Sequence, residues 1–284
     1  MRYLLILAIV LVSMCTSLPD LSFLSSNSNI QQAENLLISE GPDLYITADT
    51  IPTEVKAGRN VNVYFELRNK NNFNLNNVKL TVYDPCVFTG DVEKLITQIK
   101  ANSTYKFSVK WTAGSVEFDT NCKVKFRVTY DAQYSLYQDI AVLTQEEYSI
   151  RESKGTLSSV PISSSYPASP LKISLSFSDS QPFVSDENYN LLIGYTNTGD
   201  GIIEIGKGDI TIKAPSNVKD FSCRGYDSSL ALNTSLNFIR GSAPTSSCSF
   251  TATTTQALNT KPLSITAKYK YNIDSSISIK VLTS

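Results

Sequence analysis

From Val61 the chain alternates: Val61, Val63, Phe65 and Leu67 are apolar, while Asn62, Tyr64 and Glu66 stand between them. Alternate side chains of an extended strand point to opposite faces, so this run predicts a strand with one buried face. The pattern returns in VKLTV (Val78, Leu80, Val82), in YKFSVKW (Phe107, Val109, Trp111) and in CKVKFRVTY (Cys122, Val124, Phe126, Val128, Tyr130). DLYITAD opens the series, EKLITQI is a weaker member and LYQDIAVL closes it. About seven strands separated by polar turns match the count and spacing of an immunoglobulin-like β-sandwich.

A second series begins at LKISLSF, where Leu171, Ile173, Leu175 and Phe177 share one parity. YNLLIGY, DITIKA, SLNFI, SCSFTAT, LSITAKYKY and SISIKVL continue it. The two series look like repeats. VTYDAQYSLYQDIAVLT, from Val128, aligns without a gap with AKYKYNIDSSISIKVLT, from Ala267: Tyr130 meets Tyr269, Ile140 meets Ile279 and Val142 meets Val281. Each reads as two strands around a short turn. ANSTYKFSV matches LNTSLNFIR in the same way, pairing Asn102 with Asn233 and Phe107 with Phe238. The expectation is an all-β chain of two tandem immunoglobulin-like β-sandwich domains, 42–145 and 170–284. A Ser- and Pro-rich linker, 146–169, lies between them.

The loops RNKNNFN and YTNTGDG both follow the second strand of their series. Asn tolerates left-handed backbone angles and hydrogen-bonds its own backbone, so it builds turns without glycine. The glycines of NTGDGIIEIGKGD lack the GK[ST] of a phosphate loop and read as hairpin turns. The acidic clusters SDENYN and NTGDG carry oxygen ligands but lack the spacing of a calcium-binding EF-hand loop.

The N-terminus adds a compartment. Arg2 precedes an apolar run, Leu4 to Val12, followed by Ser13, Cys15 and Ser17. This is the layout of a secretory signal, 1–17, and the run is shorter than the roughly 20 residues that span a bilayer. LVSMC resembles a bacterial lipobox, which makes Cys15 a candidate for lipidation, although Met14 stands where a small residue is usual. Residues 18–41 read as a tether, with a short helix through IQQAENLLIS.

Composition then excludes chemistry. The chain of 284 residues contains no histidine, and its net charge is −1 from 25 basic and 26 acidic residues. Serine and cysteine catalysis through a histidine base, and zinc sites that use histidine, are absent on that ground. No basic stripe points to nucleic acid. The expectation is no enzyme, no catalytic residue, no metal and no cofactor.

Four further cysteines fall two to a series: Cys86 and Cys122, then Cys223 and Cys248. Pairing within each series is the simplest reading, and disulfides imply an oxidising compartment. A four-cysteine metal site, without any C-x-x-C spacing, and free thiols are the alternatives. Asn102 (NST) and Asn233 (NTS) are acceptor sequons for N-glycosylation.

PTEVKAGRNVNVYFELRNKNNFNLNNVKLTVYD, with Gly58, Asn69, Asn77 and Val78 at the matching turn and strand positions, resembles the cell-adhesion-related domain of bacteria and archaea, CARDB. The resemblance runs through Trp111 and covers most of residues 42 to 145. In the second series it rests on LLIGYTNTGDG and the closing hairpin. It implies an extracellular immunoglobulin-like sandwich used as a spacer or adhesion module, with no catalytic residues to carry over. The functional expectation is an exported, non-enzymatic surface or envelope protein with an adhesive, structural or binding role. Its partners would be envelope proteins, surface proteins or glycans. Self-association would use sheet edges, and contact with the membrane would come only through an N-terminal anchor. The alternatives are an accessory binding module of a surface enzyme or transporter complex, and a subunit of a surface filament or layer.

Overall fold

The computed structural model describes residues 36–40 and 44–283. The signal segment, Cys15 and most of the tether lie outside them. Where the tether enters the description, Leu36–Glu40 is a strand, β1, and not the end of a helix. It adds antiparallel to β2 (Leu44–Ile51). There follow β3 (Glu54–Lys56), β4 (Asn60–Asn69), β5 (Leu75–Asp84), β6 (Phe88–Gly90), β7 (Glu93–Ile99), β8 (Thr104–Ala113) and β9 (Thr120–Leu143). Helix α1 (Gln145–Ser153) leads to β10 (Ser164–Ser165), β11 (Leu171–Phe177), β12 (Phe183–Val184) and β13 (Asn188–Asn197). The last strands are β14 (Ile202–Glu204), β15 (Ile210–Lys213), β16 (Val218–Cys223), β17 (Ser242–Ala252) and β18 (Leu258–Leu282).

Among the described residues three sheets result. One runs β1-β2-β4-β8-β6 and one runs β11-β13-β17-β16. The third, β14-β18-β9-β5-β7 with β3, β10, β12 and β15 attached, is shared between two immunoglobulin-like sandwiches. The alternation read from the sequence sets the faces. Val61, Val63, Phe65 and Leu67 of β4 are buried, and so are Leu191, Ile193 and Tyr195 of β13.

The two aligned runs at Val128 and Ala267 do not form hairpins. Each follows one continuous strand to its C-terminal end, β9 of 24 residues and β18 of 25. They pair antiparallel from Leu258 opposite Leu143 to Val281 opposite Thr120, with no shift of register. At roughly 3.3 Å per residue this ribbon is about 80 Å long. Cys122, Val124, Phe126, Val128 and Tyr130 of β9 are buried in the first sandwich, and Tyr134, Leu136, Ile140 and Val142 in the second.

The consequence is an exchange of strands. The first sandwich is completed by the last part of β18, where Lys280–Leu282 pair in parallel with β3. The second is completed by the last part of β9, where Val142 and Leu143 pair in parallel with β12. The gapless repeat sets Asp131 against Lys270, and the register places that same pair opposite one another. A pseudo-two-fold relation between the repeats therefore crosses the ribbon at Asp131–Lys270.

SLNFI is also not a strand. Residues 235–239 contribute only isolated bridges, Leu236 to Ile205 and Ile239 to Ser242, and β17 begins after them. The segment between the series contains α1, which begins at Thr144, whose Oγ1 accepts the Glu147 N–H at 3.3 Å. Arg151 Nε donates to Glu147 Oε1 at 2.6 Å, one turn back.

Candidate functional groove at the junction of the sandwiches

On the inner face of the ribbon's midpoint sit four tyrosines. Tyr130 and Tyr271 have ring centroids 5.6 Å apart, and Tyr134 and Tyr269 are 6.3 Å apart in an edge-on arrangement. Tyr269 hydrogen-bonds the Ser169 hydroxyl at 2.8 Å, and the Tyr271 hydroxyl accepts the Gly201 N–H at 2.7 Å. All four rings are buried, and the hydroxyls of Tyr269 and Tyr271 tie the chain at Ser169 and Gly201 to the ribbon.

The outer face of the same midpoint carries a polar row. Asn76 of β5 pairs with Asp131 of β9, Asp131 with Lys270 of β18, and Lys270 with Glu204 of β14. Four strands thus hold an amide, a carboxylate, an ammonium and a carboxylate side by side. Asn77 Nδ2 donates to Asp131 Oδ2 at 2.8 Å, and Asn272 Nδ2 donates to Glu204 Oε1 at 2.8 Å. Asn77 has a left-handed backbone (φ 51°), which opens a register shift between Asn76 and Lys79 and turns its amide toward the ribbon.

Above this row the segment 235–238 and the loop from Ile205 to Asp209 raise a wall. Between wall and ribbon lies an open groove of about 880 Å³. Amides of Asn76, Asn77, Gln133 and Asn237 line it, with Lys268 and Lys270, and its apolar surface comes from Ile202, Leu236 and Phe238. Ile202 is 57% exposed. Amides both donate and accept, three carboxylates (Asp131, Glu204, Asp209) against two lysines leave little net charge, and exposed Ile202 beside the partly buried Leu236 and Phe238 offers apolar contact area. The groove suits an extended, uncharged, hydroxyl-rich ligand. Asp209 is engaged within the wall, where its Oδ2 accepts the Gly206 N–H at 2.6 Å.

The residues marked in the sequence lie elsewhere, apart from one neighbour. Cys86 is joined to Cys122 and Cys223 to Cys248, closing separations of 36 and 25 residues. Cys122 is buried on the inner face of β9, while Cys223 and Cys248 face each other across β16 and β17. Asn102 is exposed in the turn before β8, with its N–H on the Asn71 carbonyl at 2.9 Å. Asn233 is exposed too, but in the long connection well before β17, two residues from the groove residue Ser235. The two sequons therefore do not occupy matching places in the repeats. Among the described residues no group of three His, Cys, Asp or Glu side chains could hold a metal ion.

The groove itself was not marked by the sequence. Its row is assembled from four strands, and no linear motif spans it. The one legible signal was the gapless repeat through Asp131 and Lys270.

Residues 41–154 match the family model described as CARDB. CARDB is a family of non-catalytic immunoglobulin-like domains. No curated protein matches the chain. Among solved structures, an Escherichia coli alpha-2-macroglobulin activated by porcine elastase is similar over 85% of this chain and 33% of that chain. Sequence identity there is 9% and the TM-score 0.23. The first half of the chain thus carries a CARDB-like domain, and the disulfides fit an oxidising, extracellular setting. No helix among the described residues is long and apolar enough to cross a membrane.

Proposed function

We propose that this is an exported, non-enzymatic surface protein whose junction groove binds a hydroxyl-rich chain such as an envelope glycan. The observation that carries the reading is the groove itself: amides from β5, β9 and the 235–238 wall converge beside the exposed Ile202, with carboxylates and lysines nearly in balance. The sequence's lack of histidine leaves the groove without the usual general base. Export through residues 1–17, with attachment through Cys15, belongs to the same reading. Intact-mass measurement of the secreted chain tests it.

Binding is tested by titrating glycans from envelope extract into the full chain. Asn237→Ala, exposed on the irregular wall, should weaken binding roughly tenfold or more while the fold persists; Phe238→Ala should weaken it as well, with some loss of stability because the ring also packs against the core. Unchanged binding in both variants, or turnover of the glycan that survives repurification, overturns this reading.

A further inference from the structure

The repeats differ in one respect that concerns partners. In the first sandwich the edge of β2 is covered by β1, which adds to it antiparallel. The equivalent edge in the second sandwich is β11, which among the described residues is paired with β13 on one side only. The segment before it cannot cover it, because β10 is held on the other sheet by Gln138 and Tyr137 of β9.

Open edges are ordinarily blunted by shortness, bulges or charges. Among the described residues the other sheet edges have such protection, and β1 itself carries a register shift between Leu37 and Ser39. β6 and β14 have three residues each. β16 carries Lys219 and Asp220 at a register shift, with Asp220 in a left-handed conformation. β7 presents Glu93 and Lys94. β11 has none of these beyond a single lysine. Its seven residues pair with β13 without a shift, and Lys172, Ser174 and Ser176 point outward. Beside it opens an apolar slot of about 200 Å³, lined by Tyr134, Leu136, Tyr166, Pro167, Ile173 and Leu175.

We propose that β11 is a self-association edge, pairing antiparallel with β11 of a second copy about a two-fold axis at Ser174. The sequence is complementary to itself in that register. Ser174 meets its own copy, Lys172 meets Ser176, Leu171 meets Phe177 and Ile173 meets Leu175. The two lysines lie four residues apart along the strands, about 13 Å, beyond the screening length at physiological salt. Ile173 and Leu175 of each copy extend the apolar strip across the two slots. The contact is closed, so the product is a dimer and not a filament. This deepens the surface-protein reading without resting on the ligand of the groove: failed glycan binding with an intact dimer would fault only the groove.

The test is sedimentation equilibrium of the full chain up to about 100 µM. A concentration-dependent dimer should appear, with slowed hydrogen exchange at 171–177. Ser174→Lys places like charges opposite each other and should weaken the dimer roughly tenfold, whereas Ser176→Glu faces Lys172 of the other copy and should strengthen it. Both positions are exposed, so neither variant threatens the fold. A monomer at all concentrations overturns the proposal. So does a dimer indifferent to both substitutions, or one whose slowed exchange lies on another edge.

Discussion

Asn69 has no exposed surface, and its side chain closes the loop after β4. Its Oδ1 accepts the Asn71 N–H at 2.9 Å, and its Nδ2 donates to the carbonyls of Phe73, Lys100 and Ile99 at 2.8, 3.0 and 3.2 Å. Asn197 repeats the device after β13: Oδ1 accepts the Gly199 N–H at 3.0 Å, and Nδ2 donates to the Gly201 carbonyl at 2.7 Å. The Asn-rich loop therefore rests on side-chain hydrogen bonds. None of residues 69–74 has a positive φ. Asn69→Ala should cost about 2–4 kcal/mol, because buried carbonyls lose their donor. Asn69→Asp should cost no less, since a carboxylate cannot donate, and the half-buried Asn197→Ala should cost less. Urea unfolding of the full chain measures all three. A second residue-scale prediction concerns alkali. Burial pushes the Tyr189 hydroxyl up to about 12, and also raises Tyr195 and Tyr226, whose hydroxyls bond each other at 2.6 Å. The folded state keeps protons that the unfolded chain releases from about pH 10, so this stability is intact below pH 10 and fades as pH rises toward 12. The unfolding midpoint should fall between about pH 9 and pH 11, and Tyr189→Phe should reduce the fall.

The strands were legible and two of their turns were not. YDAQY and YNIDSS contain the Asp, Asn and Ser that make turns, and a sandwich ordinarily joins its last two strands by a hairpin. In the ribbon these residues are cross-strand partners on the outer face. Asp274 takes two hydrogen bonds from Arg127, at 2.6 and 2.8 Å, and Asn272 accepts from Thr129 at 2.8 Å. Ser135 and Thr266 bond each other at 2.8 Å. A turn residue and a solvent-facing strand residue share one composition, and only the partner strand decides between them. The unbroken alternation from Cys122 through Ala132 to Leu136 was the clue that one strand passes straight through. Helix α1 had a readable start as well: Thr144 and Glu147 stand at capping-box spacing. The cysteines were legible because each pair falls within one series. Cys86 ties the loop after β5 to β9, and Cys223 ties β16 to β17. Replacing either pair by serine should cost roughly 3–4 kcal/mol on the chain-entropy estimate. Non-reducing peptide mapping should yield these two linkages alone, and a linkage between the series would contradict the register of β9 and β16.

At the scale of the molecule the shared ribbon decides what can fold alone. A chain cut at residue 145 keeps the strands of the first sandwich except one, the last part of β18. That part buries Ile277, Ile279 and Val281 against it and pairs with both β9 and β3. Removing it leaves β9 with a bare edge beside Cys122, Val124 and Phe126, and the same cut leaves the second half of β9 without its partner sandwich. A fragment that keeps β1 and ends at residue 145 should therefore be aggregation-prone, or should dimerise by lending β9 to one another. A synthetic peptide of residues 271–283 supplies the missing strand and should restore a soluble one-to-one complex, with slow hydrogen exchange along β9 from Thr120 to Tyr130. A peptide with Ile277 and Ile279 replaced by aspartate should not, because its charges would enter the buried face. The intact chain should unfold in one cooperative transition, since neither sandwich is complete without a strand that continues into the other. Two separated transitions, or a stable monomeric fragment ending at residue 145 that is indifferent to the peptide, would show that the hairpin arrangement is accessible to the isolated sandwich and that the exchange is not required for folding.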